Sequence, residues 1–282
     1  MGTTRIIALA SQKGGPGKTT LATNMAALLA RHYGKGRTLL IDCDPQANAT
    51  SIFLGPEVAF GPNPGLNVYH VLCNETRAEG VIQTARLKLR RQLSVHTLDI
   101  LPSHLSAAVA ELELVSKFER ERRLKRWLAP VQSRYDYIVV DCPPSLGLIT
   151  VNALMAATEV IIPLEPGYFP LVGLGLLRET IDQIRRQSNP QIRITGYVLM
   201  KEDRTRMSSE TYQVLQKNFP SLVLPSVPRR SVVPESQANL TDLLGFELPG
   251  DDSNYDVLPE VTKAFIKIVE EVVRRGKEVK PT

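Results

Sequence analysis

Three cysteines in 282 residues, Cys43, Cys73 and Cys142, form no C-x-x-C pair and leave an odd count. That favours free thiols in a reducing cytosol over a disulfide framework. The four histidines, His32, His70, His96 and His104, show no ligand spacing, and no Ser–His–Asp arrangement is apparent. No apolar stretch approaches the roughly 18 uninterrupted residues of a transmembrane helix. Repeats and low-complexity tracts are absent too. Nothing ahead of the apolar run Ile6 to Ala10 reads as a secretory leader. Charge of one sign is in small excess: 34 basic against 29 acidic residues give +5, which permits polyanion binding without requiring it. Hydrophobic content of 43% and charged content of 22% are ordinary for a globular chain.

What is present centres on Ser11 to Thr20, SQKGGPGKTT. It lies between the apolar run and a helix-like stretch, Leu21 to Ala30, and a strand–Gly-rich turn–helix context makes such a string a phosphate site. Gly14, Gly15 and Gly17 carry no Cβ, so backbone amides can close on an anion at the positive end of the following helix. Lys18 would reach the β- and γ-phosphates, and the Thr19 hydroxyl would hold Mg²⁺. The usual spacing also asks for Gly six residues before that lysine, where this chain has Gln12. It carries Lys13 instead. Two lysines exceed what one cradle needs, so Lys13 is expected to point away and serve a second subunit's nucleotide.

Thr38 to Asp42 and Tyr137 to Asp141 are short apolar runs that end in acid, and Val160 to Leu164 and Ile192 to Met200 are further strand candidates. Helical patterns run between and after them, at Ser103 to Lys117, Phe118 to Leu128, Leu148 to Ala157, Leu171 to Gln187 and Met207 to Phe219. This alternation predicts an α/β fold, a mostly parallel sheet with helices on both faces, and the Gly-rich loop makes it of P-loop NTPase type. Ligands of such sheets sit beyond the carboxyl ends of the strands, where the loop, Asp42, Asp44 and Asp141 all fall. Asp42 and Asp44, two apart, face the same way on an extended backbone, and Pro45 is expected to keep that stretch extended. Gly55 to Gly65 and Gly245 to Asp256 read as surface excursions within one domain spanning 1–282.

KGGPGKTT is a deviant Walker A signature, and through it the chain resembles the ParA/MinD group of P-loop ATPases. IDCDPQANATS (Ile41 to Ser51) and IVVDCPPSLG (Ile138 to Gly147) are similar to the switch I and Walker B segments of small, Soj-type ParA partition ATPases. The resemblance runs from about Arg5 to the last helix. It implies ATP and Mg²⁺ as cofactors, with Thr20 alongside Gly14, Gly15, Gly17, Lys18 and Thr19 at the nucleotide. Asp42 and Asp141 would lie at the metal, and Asp44 would orient the attacking water. Lys13 would act across an ATP-dependent homodimer, like an arginine finger, with Gly14 and Gly15 at the joining face. Pro228 and Arg229 resemble the segment that lines the family's adenine pocket.

The same resemblance implies non-specific binding of duplex DNA, slow hydrolysis, a stimulatory ParB-like partner and a cytoplasmic, nucleoid-associated protein. No separate DNA-reading domain is expected ahead of the loop. Arg204 falls where relatives carry a DNA-contacting arginine, with Arg206 close by. Relatives carry another Arg and a Gly-Lys pair where this chain has Val232 and Leu240-Thr241, so Arg230, or Lys263 and Lys267, would have to substitute. The basic clusters Arg86 to Arg91 and Glu119 to Arg126 read as solvated surface. A MinD-like action on membranes or protein assemblies is the alternative. Against it, Leu258, Val261, Phe265, Ile268 and Val272 form a stripe that suits packing on the domain, so stable membrane association is not expected. Cys43 and Cys142 read as small core residues, not cluster ligands.

Overall fold

Strands rich in Val, Ile and Leu on both faces bury themselves only when helices cover both sides of the sheet. The computed structural model describes residues 3–15, 17–34, 37–78, 80–89, 92–247 and 259–278. Its strands are β1 (Arg5–Leu9), β2 (Thr38–Asp42), β3 (Gln83–Leu89), β4 (Gln92–Leu101), β5 (Tyr137–Asp141), β6 (Glu159–Leu164) and β7 (Arg193–Leu199). They form one seven-stranded sheet in the order β3-β4-β2-β5-β1-β6-β7. Every pairing is parallel except β3 with β4.

The helices are α1 (Lys18–His32), α2 (Asn48–Leu54), α3 (Pro56–Phe60), α4 (Val68–Asn74), α5 (Ala110–Leu114), α6 (Arg123–Leu128), α7 (Leu148–Ala156), α8 (Tyr168–Gln187), α9 (Arg206–Asn218), α10 (Val232–Ala238), α11 (Leu243–Glu247) and α12 (Glu260–Glu278). Successive strand residues point to opposite faces. Ile6 and Ala8 join a core with α4, α6, α7 and α8, while Ile7 and Leu9 join one with α1, α11 and α12. Val261, Phe265, Ile268 and Val272 of α12 lie wholly inside that second core. These four stripe residues are therefore packed, as expected; Leu258 lies outside the described residues.

Register sets the site. Asp42 of β2 pairs with Asp141 of β5, and Leu9 of β1 pairs with the same Asp141. The Gly-rich loop, the stretch after β2 and the stretch after β5 thus leave the sheet side by side at its carboxyl edge.

Several expectations need correction. Of Arg86 to Lys88, expected to be solvated surface, Arg86 is exposed as expected, but all three belong to edge strand β3, with Ala85 and Leu87 buried. Arg90 and Arg91 lie outside the described residues. The helix expected over Ser103 to Lys117 is a 3₁₀ turn, Leu105–Val109, followed by short α5. The next begins only at Arg123, because Glu119 sits at φ 48, a left-handed conformation no helix contains. Within Glu119 to Arg126, Arg123 is buried, its guanidinium donating to the Leu72 and Phe118 carbonyls. Gly55 to Gly65 contains α3, and Gly245 to Glu247 end α11, with the remainder of that excursion outside the described residues.

Candidate nucleotide site

α1 starts at Lys18 because Gly17, its N-cap, takes φ 80 and ψ 25, open chiefly to glycine. A Cβ there would come 2.9 Å from Met200 Cε, the far end of a flexible side chain that can move aside, so the left-handed backbone, not crowding, is what calls for glycine. Gly15 turns likewise, at φ 88. Gly14 and Gly15 are exposed, and a Cβ on Gly14 would meet nothing nearer than Pro144 Cβ at 3.9 Å. No crowding within the chain requires glycine at 14.

The two lysines of the loop point in different directions. Lys18 is buried, its Nζ donating to Ser11 Oγ at 3.0 Å and to the Lys13 carbonyl at 3.2 Å. Burial pushes its ammonium below the ordinary lysine value, against the opposing pull of Asp141. Lys13 is exposed, and only its backbone carbonyl takes part in the cradle. Thr19 and Thr20 stand in the first turn of α1, and both line an open cleft of about 720 Å³ with Gly14, Gly15, Gly17 and Lys18.

Asp141 is fully buried at the floor of this edge, and neither carboxylate oxygen has a hydrogen-bond partner among the described residues. Burial, and then the Asp42 carboxylate beside it, push Asp141 well above the usual carboxylate range; the Thr19 hydroxyl, near it but outside hydrogen-bond geometry, and Lys18 offset part of this. An orphaned buried carboxylate beside a hydroxyl is the donor set a hard, oxygen-seeking cation requires, so these residues fit Mg²⁺.

Asp42 and Asp44 take different partners. Asp42 Oδ2 accepts from Thr50 N at 2.8 Å and Thr50 Oγ1 at 2.7 Å, and its Oδ1 accepts from Asp44 N at 3.2 Å. Burial raises it above the usual range in spite of Thr50. Asp44 lines the cleft, with Oδ1 accepting from Gln46 N at 2.9 Å. That bond and Ala47 N to Asp44 O, 2.9 Å, close a turn, so Pro45 does not keep the stretch extended. Proline suits the second position of such a turn, and α2 follows at Asn48.

Pro228 and Arg229 are held to the stretch after β7: Arg229 N donates to Glu202 O at 2.8 Å, and Pro228 pairs with Glu202 as an isolated bridge. The nearby residues that line the cleft are Val233, Pro234 and Gln237 of α10. Gln237 Nε2 donates to Thr20 Oγ1 at 2.9 Å, a contact across 217 positions that no local pattern signals. Arg204 is exposed; Arg206 is exposed but paired with Glu210 at 2.6 Å, and Arg230 with Glu260 at 2.6 Å. Val232 packs against the α1 core, and Thr241 is buried. Leu240 adopts φ 52, where a glycine would rest without strain.

Sequence reasoning also missed two supports. Glu111 accepts from Leu148 N and from Ile149 N (3.2 Å), capping α7 directly after the Asp141 loop. Lys201 lines the cleft, and its position two residues past the end of β7 was the available signal. Cys43 and Cys142 are fully buried.

A Gly-rich turn between β1 and α1, a buried lysine and a strand-end carboxylate on a parallel sheet define a P-loop nucleotide-binding protein. A family model described as an AAA domain matches residues 4–194. The chain is 41% identical over 229 residues to the sporulation initiation inhibitor protein Soj of Bacillus subtilis, covering 81% of this chain and 85% of that protein. To the chromosome-partitioning ATPase Soj of Treponema pallidum it is 36% identical over 272 residues, covering 96% and 98%. Among solved structures, cobyrinic acid a,c-diamide synthase of Mycobacterium smegmatis with bound ATP analogue and magnesium superposes at a TM-score of 0.75, with 28% identity over 98% of this chain and 97% of that one. The chain belongs to the Soj/ParA family of partition ATPases.

Proposed function

We propose that the chain is a single-domain ATPase that binds Mg·ATP, closes as a homodimer around two nucleotides and binds duplex DNA without reading its sequence. Slow hydrolysis, stimulated by a ParB-like partner, releases it, so that DNA is segregated or positioned. The observation that carries this reading is the exposed Lys13 on a loop whose own cradle is already served by buried Lys18. An ammonium that its own subunit leaves in solvent is free to neutralise a neighbour's γ-phosphate. Bare, exposed Gly14 and Gly15, and the exposed Tyr168, Val172 and Leu176 of α8, support a partner on that side.

In the bound state Thr19 and Asp141 hold the metal, with Asp42 beside them; the metal supplies charge neutralisation on the phosphate oxygens. Lys18 and the loop amides hold the polyphosphate, with Thr20, Pro228 and Arg229 toward the nucleoside end. Asp44, fixed through Oδ1 by Gln46 N, keeps its other oxygen for orienting water. The magnesium and ATP analogue in the M. smegmatis protein support this loading.

For DNA, Arg204, Arg206 and Arg230 form the proposed phosphate-contacting set. Glu210 and Glu260 already neutralise two of them, so contact requires exchanging partners, and binding should weaken steeply with salt. A membrane-acting alternative lacks support in α12, whose apolar face is inside the core; no described helix is long and apolar enough to cross a membrane. The protein would act in the cytoplasm on the nucleoid. The test is duplex DNA binding with ATP, with ADP and without nucleotide, across a salt series, for wild type and Lys13→Ala. Binding that requires ATP, falls with salt and is lost in the variant is expected; equal binding in all nucleotide states would refute the switch. Flotation with liposomes under ATP would favour the membrane alternative.

A further inference from the structure

A third lysine touches the phosphate loop. Lys201 follows β7 at φ 55, a left-handed conformation strained for side chains other than the short Asn and Asp. Its Nζ donates to the Gly15 carbonyl at 2.8 Å and pairs with the Glu165 carboxylate at the end of β6. The residue before it, Met200, packs against Gly17. The end of β7 thus holds both turned glycines, Gly17 by contact and Gly15 by a charged hydrogen bond.

The Gly15 carbonyl belongs to a peptide unit that differs chemically from its neighbours. The next residue is Pro16, which has no N–H. Every other unit in the Gly-rich turn can offer an amide to an anion. This one offers only an acceptor, which repels a phosphate if left free to face it. It also leaves the nest one donor short.

We propose that Lys201, with Glu165 as its counter-ion, is a positioning residue of the phosphate loop that occupies the Gly15 carbonyl and replaces with an ammonium the donor that Pro16 removes. Lys201 lines the same cleft as Lys18 and Thr19, so its charge lies within reach of the polyphosphate's field. Glu165 also lines an apolar pocket of about 350 Å³ with Lys13, Val172 and Leu177. Its carboxylate keeps Lys201 on the loop. The charge-assisted hydrogen bond restricts the one peptide unit that no amide–phosphate contact can restrain.

The inference rests on nucleotide binding and on no other part of the proposed function, so ADP is the suitable probe: it requires neither dimer nor hydrolysis. Fluorescent ADP with Mg²⁺ is titrated into wild type, Lys201→Met, Lys201→Arg and Lys201→Asn, each first checked by thermal melting without nucleotide. Lys201→Met should raise the dissociation constant about tenfold with an unchanged melting midpoint, as expected for losing one charge-assisted hydrogen bond. Lys201→Arg should stay within about threefold of wild type. Asn relieves the left-handed backbone but cannot supply the ammonium, so Lys201→Asn should bind as weakly as Lys201→Met. In a Pro16→Val background, which returns an N–H to the same peptide, the Lys201→Met loss should shrink to about threefold or less. Unchanged affinity in Lys201→Met or Lys201→Asn, an unreduced loss in the Pro16→Val background, or no recovery with arginine overturns the proposal. So does failure of both neutral variants to fold, which would make Lys201 a stability residue. A wild type that binds no ADP would instead sink the nucleotide reading itself.

Discussion

Replacing Asp141 by Asn separates what this carboxylate costs the empty protein from what it does for a nucleotide. The side chain is fully buried, both oxygens lack partners, and Asp42, equally buried, sits opposite it in register. An unsatisfied buried charged group costs about 1–3 kcal/mol or more. Asn keeps the shape and removes the charge but leaves polar atoms to satisfy, so the gain should fall near the low end, about 1–2 kcal/mol. At roughly 2 °C per kcal/mol for a chain of this size, the nucleotide-free melting midpoint at pH 7.5 should rise by about 2–4 °C. The sign with pH follows. Asp141 is raised in the folded state, so its favourable contribution is complete below the ordinary carboxylate value and is lost as pH rises above it. The gap between variant and wild type should therefore open from about pH 4 upward. Adding Mg·ADP should raise the wild-type midpoint and barely move that of Asp141→Asn, whose ATP turnover should fall by about a hundredfold or more. The assay is differential scanning calorimetry across pH, with and without nucleotide. A lower nucleotide-free midpoint for Asp141→Asn, or an equal nucleotide-induced shift, would refute the reasoning.

Leu240→Gly should raise the melting midpoint by about 1–2 °C, because relief of the left-handed strain at φ 52 outweighs glycine's greater unfolded-state freedom by about 0.5–1 kcal/mol; a fall would show that Leu240 contributes packing that its backbone strain conceals. Glu159 is buried, which alone would raise it, but hydrogen bonds and charge from Arg5, with Thr195 and Arg193, hold it below the ordinary value. Its stabilisation is present above about pH 4.5 and lost below, so Glu159→Gln should cost about 3 kcal/mol at pH 7 by urea unfolding and progressively less at lower pH; a pH-independent difference would contradict this.

Much of the sheet was legible because its central strands are short, apolar on both faces and end in acid. Thr38–Asp42 and Tyr137–Asp141 have the ends their sequence suggests. The phosphate loop was legible because its chemistry lies within ten residues of chain. β3 was not, since Arg86 and Lys88 alternate with the inward Ala85 and Leu87 and hid them in a run of charge. Its pairing is also set by β4 and by Arg31, which donates to the Lys88 carbonyl. The break between α5 and α6 turns on the single left-handed Glu119. Glu111, Gln237 and Lys201 join segments 37, 217 and 186 positions apart, and periodicity carries no such information. Pro45 misled because one carboxylate–amide bond, Asp44 to Gln46, makes it a turn residue.

The proposed homodimer, in which each subunit lends Lys13 to the other, is tested most directly by light scattering on the nucleotide-loaded protein. Wild type should double its mass with ATP and remain single with ADP, while Lys13→Ala should bind ATP through Lys18 and remain single with both. A wild type that stays single with ATP, or a Lys13→Ala protein that doubles as readily, would contradict it.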